Sequence, residues 1–342
     1  MKKYLFLFSL LITTIGKAQV GGTTGFSFLT LSPSARLTAL SNSAIAVRDN
    51  NLAFAFYNPA LLTDTLNNNV AFNYDFLLGG ISTGYAGYAH HIAGIKTTFQ
   101  AGVQFINYGT FKSADEFGNL QGEFTARETA VVLGASRSIS ERLSVGVNLK
   151  YITSQLESYT AQGFGADLSG SYFNPDKQFG FTVLLRNVGT VTKNYSTNAQ
   201  AAMPTDFQIG ISKKLARAPF RFSVAAVQLN HWNLKYNNPF DIDLNLIGDP
   251  TVTTNKFTEE IDNVFRHLRF GGEISFGKND IFQLRIGYNH QAKKELSVNG
   301  IRNLSGLSYG FGVRFGKFRF DYGIAQEHLA GSFQHIALSF GH

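Results

Sequence analysis

"LSYGFGVRFGKFRFDYG", residues 307–323, alternates on both sides of a single break. Leu307, Tyr309, Phe311, Val313 and Phe315 fall on one face, opposite Ser308, Gly310, Gly312 and Arg314. A period of two belongs to a β-strand, whose successive side chains point to opposite faces. Gly316-Lys317 breaks the pattern and leaves room only for a tight turn, after which Arg319 and Asp321 again take the polar side. The stretch therefore reads as two strands with one apolar, aromatic face and one face of glycine, serine and charge.

The same pattern recurs along the chain. "VAFNYDF" (70–76) sets Val70, Phe72, Tyr74 and Phe76 against Asn73 and Asp75. Leu143, Val145, Val147, Leu149 and Tyr151 oppose Ser144, Gly146, Asn148 and Lys150, and Phe282, Leu284, Ile286 and Tyr288 oppose Gln283, Arg285 and Asn289. About fourteen such segments begin near residues 70, 81, 96, 127, 142, 162, 178, 205, 218, 268, 280, 305, 317 and 332. Connections after the even-numbered segments are tight, as at Ala93-Gly94, Ser140-Glu141, "NPDK" (174–177) and Gly316-Lys317. Long connections follow segments 3, 7, 9 and 11, over 110–126, 189–204, 231–267 and 293–304. Short turns at one end and long loops at the other describe an outer-membrane barrel: all-β, antiparallel, with periplasmic turns and extracellular loops. A soluble sandwich gives no reason for this parity.

Charge placement agrees with that reading. Arg269, Glu273, Arg285, Arg314, Arg319 and Asp321 all lie on the polar side of their segments. An arginine on the lipid face near the midplane costs roughly 2–4 kcal/mol, so this set is expected to face the lumen. The last segment, "FQHIALSF" (333–340), alternates Ile336, Leu338 and Phe340 outward.

The start of the chain carries an address. Lys2-Lys3 precede an apolar run from Tyr4 to Ile15, and Gly16-Lys17-Ala18 supplies small residues at a cleavage point. Residues 1–18 read as a signal peptide, too short to span a bilayer as a helix. The chain has 342 residues, a formal charge of +7 and no cysteine, which excludes a disulfide framework, a thiolate metal site and a lipid-bearing cysteine. An exported chain without a basic, aromatic-interleaved block is not expected to bind nucleic acid.

Residues 19–69 precede the first strand and are rich in Ala, Ser and Asn. A fourteen-strand barrel encloses a lumen that something must fill if it is to be closed. The segment reads as a hatch folded into the barrel of residues 70–342. Within it "FAFYNPALL" (54–62) is too interrupted for a helix, and Asn58 and Pro59 are expected to set a turn that keeps the hatch inside.

"SAR" (34–36), "AL" (39–40), "RDNN" (48–51) and "YNPALL" (57–62) together resemble the N-terminal hatch of FadL-type fourteen-strand barrels. Within that superfamily, "FINYGTFKSADEFGNLQGEF" (105–124), "LKYITSQLESY" (149–159) and "ISKKLARAPFRFSV" (211–224) resemble the PorV/PorQ branch of the type IX secretion system, and its PorQ members in particular. The resemblance covers essentially the whole chain after the signal peptide. It implies a non-catalytic subunit of the cell-surface attachment complex, with partners similar to the sortase PorU, the shuttle PorV and the surface protein PorZ. It also implies contact with outer-membrane lipid and anionic lipopolysaccharide. The alternative function is that of FadL-like barrels, passive transport of hydrophobic small molecules.

Chemical motifs do not rise above chance. Gly80-Ile81-Ser82-Thr83-Gly84 matches a nucleophile elbow but opens an alternating strand, where the required strand-to-helix turn is missing. Ser275 to Lys278 lacks the companion motifs of an S-x-x-K enzyme, and "GEISFGKN" (272–279) lacks the Ser or Thr of a phosphate loop. Adjacent His90 and His91 point to opposite faces, and His328 and His335 read as surface residues flanking a short turn. No catalytic residue, metal or cofactor is expected.

One loop stands apart. The 231–267 connection holds the single tryptophan, Trp232, with Tyr236 and Phe240, a candidate partner-binding surface. Ile261, Val264, Phe265 and Leu268 follow at helical spacing, with Thr258 as candidate cap, so a helix is expected either as a lid over the barrel mouth or as a docking platform.

Overall fold

The computed structural model describes residues 25–196, 201–235, 256–277, 280–296, 304–328 and 331–341. The signal peptide expected at 1–18 lies outside them. The strands are β1 (Asn69–Phe76), β2 (Ser82–Ile92), β3 (Thr97–Ala114), β4 (Leu120–Ser138), β5 (Leu143–Leu156), β6 (Tyr159–Asn174) and β7 (Phe179–Lys193). They continue as β8 (Asp206–Lys214), β9 (Phe220–Ala226), β10 (Leu268–Phe276), β11 (Phe282–Asn289), β12 (Leu307–Phe315), β13 (Phe318–His328) and β14 (Gly331–Phe340). Each pairs antiparallel with its sequence neighbours, and β1 pairs with β14, Phe72 opposite Leu338, to close the barrel.

Polarity is inverted relative to a soluble core. Leu133, Leu149, Ile286 and Phe315 point outward and are 60–70% exposed, while inward Asn148, Asp167, Gln208 and Glu273 are buried. Closure pairs every strand edge and an apolar, aromatic wall faces out, which is the arrangement a bilayer demands. The rings of Phe318 and Phe340 meet at a tilt, 4.8 Å apart, at the turn end, and Phe311 meets Tyr322 across β12 and β13 at 5.7 Å. The fold is an outer-membrane β-barrel.

Residues 25–66, the segment read as a hatch, pack against the inner wall of the barrel. The short helices of this segment are α1 (Ala35–Ala39), capped by Ser34, and α2 (Leu52–Tyr57), capped by Asn51. A 3-10 turn, Pro59–Leu61, follows. The "FAFYNPALL" stretch expected to be too broken for a helix thus holds most of α2 and the whole next turn. Asn58 makes this work: its N–H closes α2 on Phe54 O, and its side chain accepts from Ala60 N at 3.2 Å, with Pro59 at the first position of the new turn. Its amide also donates to Ile45 O at 2.7 Å, tying two hatch segments together.

The loops differ from the sequence reading in three places. The connection expected over 110–126 is mostly strand, because β3 and β4 continue as a hydrogen-bonded hairpin above the rest of the wall. Its tip closes on the Asp115 carboxylate, which accepts from Phe117 N and Asn119 N. Both faces of this hairpin are wet, so the apolar alternation that marks strands elsewhere is missing. The segment expected as a 189–204 loop is strand as far as Lys193. The loops after β9 and β11 carry helices α3 (Lys256–His267) and α4 (His290–Glu295). The second escaped the sequence reading: Asn289 caps it by accepting from Ala292 N at 2.9 Å, and no apolar periodicity announces it. Thr258 lies inside α3 and does not cap it.

Candidate functional site

Arg36, in α1, is wholly buried and stands where the hatch meets the barrel wall. Its Nε and Nη2 both donate to the Glu273 carboxylate on β10, each at 2.8 Å, in the fork geometry that makes arginine–carboxylate pairs strong. Its Nη1 reaches Asp49 of the hatch at 2.5 Å, and its guanidinium lies over the Phe54 ring. Around this pair the wall supplies more charge. Arg285 contacts Glu273 at 2.9 Å and Asp321 at 2.8 Å, Arg319 contacts Asp321 at 2.9 Å, and Arg221 spans Asp49 and Glu273. Four guanidinium groups and three carboxylates thus interlock, and one of each belongs to the hatch. Asp49 of the hatch and Glu273 of the wall are each shared by arginines of both parts: Arg36 and Arg221 contact Asp49, and Arg36, Arg221 and Arg285 contact Glu273.

The residues singled out from the sequence therefore separate. Glu273, Arg285, Arg319 and Asp321 belong to this latch. Arg314 lies at the turn-side mouth, beside a small cavity it shares with Asp49, Arg221 and Asp280. Arg269 sits toward the loops, bonded to Asn289 and to Gln291 of α4. Arg36, Asp49 and Arg221 escaped sequence reasoning. An arginine among small, apolar residues is the signal that could have found Arg36, since a buried charge requires a partner.

Short helices leave backbone groups without internal partners, and the polar wall satisfies them. Asn148 donates to Phe56 O, Gln100 to Ala55 O, Ser144 to Ala60 O and Ser212 to Ala46 O, at 2.7–3.1 Å. Asn73 Oδ1 accepts from Ala35 N and Ser169 Oγ from Ala60 N. At Gly146 and Gly180 the hatch backbone touches the wall so closely that a methyl group would overlap Pro59 and the Ala46 carbonyl respectively. His335, read from the sequence as a surface residue, is buried instead and pairs with Asp75 at 2.7 Å beneath Thr38 of the hatch. Its strand simply turns that position inward.

Between the hatch and the loops lies a cavity of about 490 Å³. Tyr57, Arg186, Asp206, Arg269 and Glu327 line it together with Leu31 and Met203, and α4 forms part of its rim. Arg186 stacks on Tyr57 at 3.7 Å and donates to Leu29 O of the hatch. Its lining mixes charged and amide side chains with apolar ones.

Trp232 is 62% exposed and stacks on His267 at 5.3 Å. Tyr236 and Phe240 lie outside the described residues. Helix α3 is inverted: Asn263 and His267 are buried, while Ile261, Val264 and Phe265 are exposed. A lid would bury its apolar side; this helix buries its polar side against α4 and the 227–235 segment. Asn263 donates to Trp232 O, and Asp262 binds His290 and Lys294 of α4 and Arg266.

No family model and no curated protein matches the sequence. Among solved structures, the Pseudomonas putida toluene transporter TodX matches with a TM-score of 0.51 and 11% identity, over 94% of this chain and 98% of that one. A Pseudomonas aeruginosa FadL homologue matches with a TM-score of 0.47 and 10% identity, over 91% of this chain and 98% of that one. At this identity the TodX match shows the fold alone, a closed barrel like that of TodX.

Proposed function

We propose that this protein is a non-catalytic outer-membrane subunit of a type IX secretion system, a PorQ-like anchor for the surface complex that processes and attaches secreted cargo. The observation that carries this reading is the latched hatch. A lumen filled by packed backbone and locked by interlinked ion pairs suits an anchor better than a conduit. The sequence resemblance over 105–124 supports it further, because that stretch forms the tall β3–β4 hairpin, whose exposed Phe117 and Leu120 project toward the loop side. In this reading PorZ-, PorU- and PorV-like partners meet the protein at its loop side, with Trp232 among the contact residues. The barrel wall meets outer-membrane lipid and, at the surface, lipopolysaccharide.

A second reading, passive transport of hydrophobic molecules, is favoured by the loop-side cavity and by a fold like that of TodX. The charged and amide groups of the lining speak against a long apolar route. Deleting the gene separates the two. The anchor reading expects cargo to cross the outer membrane yet to lose processing or surface attachment. Normal cargo display, with growth lost only on long-chain fatty acid, overturns it in favour of transport.

A further inference from the structure

Helix α3 shares the inside-out polarity of the barrel wall and runs without a break into β10. Phe257, Ile261, Val264 and Phe265 recur at helical spacing on one face and are 41–66% exposed. The opposite face carries Asn263 and His267, which are 5% and 2% exposed. An isolated surface helix in water does the reverse.

The strands beneath are short. β9 has seven residues, β11 eight and β10 nine, against eighteen in β3 and nineteen in β4. At about 3.3 Å per residue and a tilt of about 40°, seven residues rise roughly 18 Å, below the ~25 Å apolar band of an outer-membrane barrel. Tight turns pin these strands at the opposite end, so the shortfall lies at the loop end, where the C-terminus of α3 joins β10. The order of layers gives the helix its direction. Val227, Gln228, His231 and α4 line the loop-side cavity, and among the described residues none of α3 does. Helix α3 packs on the outer side of these elements through Asn263, Asp262 and His267, so its far face points away from the barrel axis.

We infer that α3 completes the membrane-facing wall above β9–β11, with Ile261, Val264 and Phe265 in contact with the acyl region of the outer leaflet. The occupant is lipid because the exposed face is continuous with the lipid-facing side of β10 and supplies apolar height where the strands fall short. Trp232, beside His267, then sits at the polar boundary of the bilayer, where tryptophan is enriched. This inference rests on the barrel and its strand lengths, and stands apart from the secretion reading.

The chain has no cysteine, so single labels are unambiguous. The full protein is refolded into phospholipid vesicles with bimane at Val264→Cys, or at Ile261→Cys should the first variant fold poorly. Ile286→Cys, on the outer wall of β11, is the lipid reference, and Phe117→Cys, at the hairpin tip, the aqueous one. Bimane at 264 is expected to lose most of its emission to nitroxide-bearing lipids and little to iodide, matching position 286. Iodide quenching equal to that at 117 overturns the inference, and so does protection from both quenchers, which means that protein covers the face. Aqueous behaviour at 286 itself contradicts the membrane barrel instead.

Discussion

Replacing Arg36 by methionine is expected to free the hatch while leaving the barrel closed. The substitution removes both hydrogen bonds from Arg36 to Glu273 of the wall and its contact with Asp49 inside the hatch, and leaves Arg221–Asp49 as a remaining ion pair between hatch and wall. Breaking a buried pair by removing one partner costs about 3–5 kcal/mol, because the surviving charge remains desolvated. Arg285 and Arg221 still touch Glu273, so the lower part of that range is expected. Arg36→Lys keeps the charge but loses the fork and falls between the two. The barrel strands hold one another by their own hydrogen bonds, so heat-modifiable migration on gels survives in every variant. Limited proteolysis of the detergent-solubilised protein reads the outcome: cleavage within residues 25–66 rises in Arg36→Met. A hatch as resistant as the wild type removes the latch from the account.

The second large effect comes from Gly146 and Gly180, where the wall yields its side chain to the hatch backbone. Alanine at either position drives a methyl group into Pro59 or into the Ala46 carbonyl, and backbone cannot swing aside as a long side chain can. Overpacking of this kind costs typically about 1–3 kcal/mol, and two distant sites add. The Gly146→Ala/Gly180→Ala double variant is therefore expected to loosen the hatch as much as Arg36→Met does, again with an intact barrel. Gly170, with open space around its Cα, serves as control, and Gly170→Ala is expected to change nothing. Equal protease resistance of the double variant and the control shows that the hatch tolerates displacement and that the close contacts do not hold it.

Much of the barrel was legible because lipid and lumen impose opposite chemistry on alternate residues. The 307–323 stretch states the pattern in full, and its two strands pair as read, Phe315 opposite Phe318. The tall β3–β4 hairpin was not legible, since both of its faces meet water and the alternation fades although the hydrogen bonds continue. The latch was harder still. Arg36 and Glu273 are 237 positions apart, and nothing local to either names the other. Helix α3 shows a third kind of limit. Ile261, Val264 and Phe265 mark a helix by spacing, but spacing is silent on whether the apolar face turns toward the protein or away from it. That direction is set by Asn263, Asp262 and His267, whose partners lie on other segments. The Asn58-Pro59 pair misled for a related reason: a residue that ends one helical turn and caps the next looks like a break in both.

Ion conductance across planar bilayers tests most directly whether this is a closed barrel held shut by its hatch. The wild-type protein and a variant lacking residues 25–62 are inserted separately under the same potential. A filled, latched lumen predicts no stable conductance steps for the wild type and clear steps for the deleted form, whose fourteen strands still close. Wild-type steps as large as those of the deleted barrel contradict the account, because ions then pass where the hatch is described as solid.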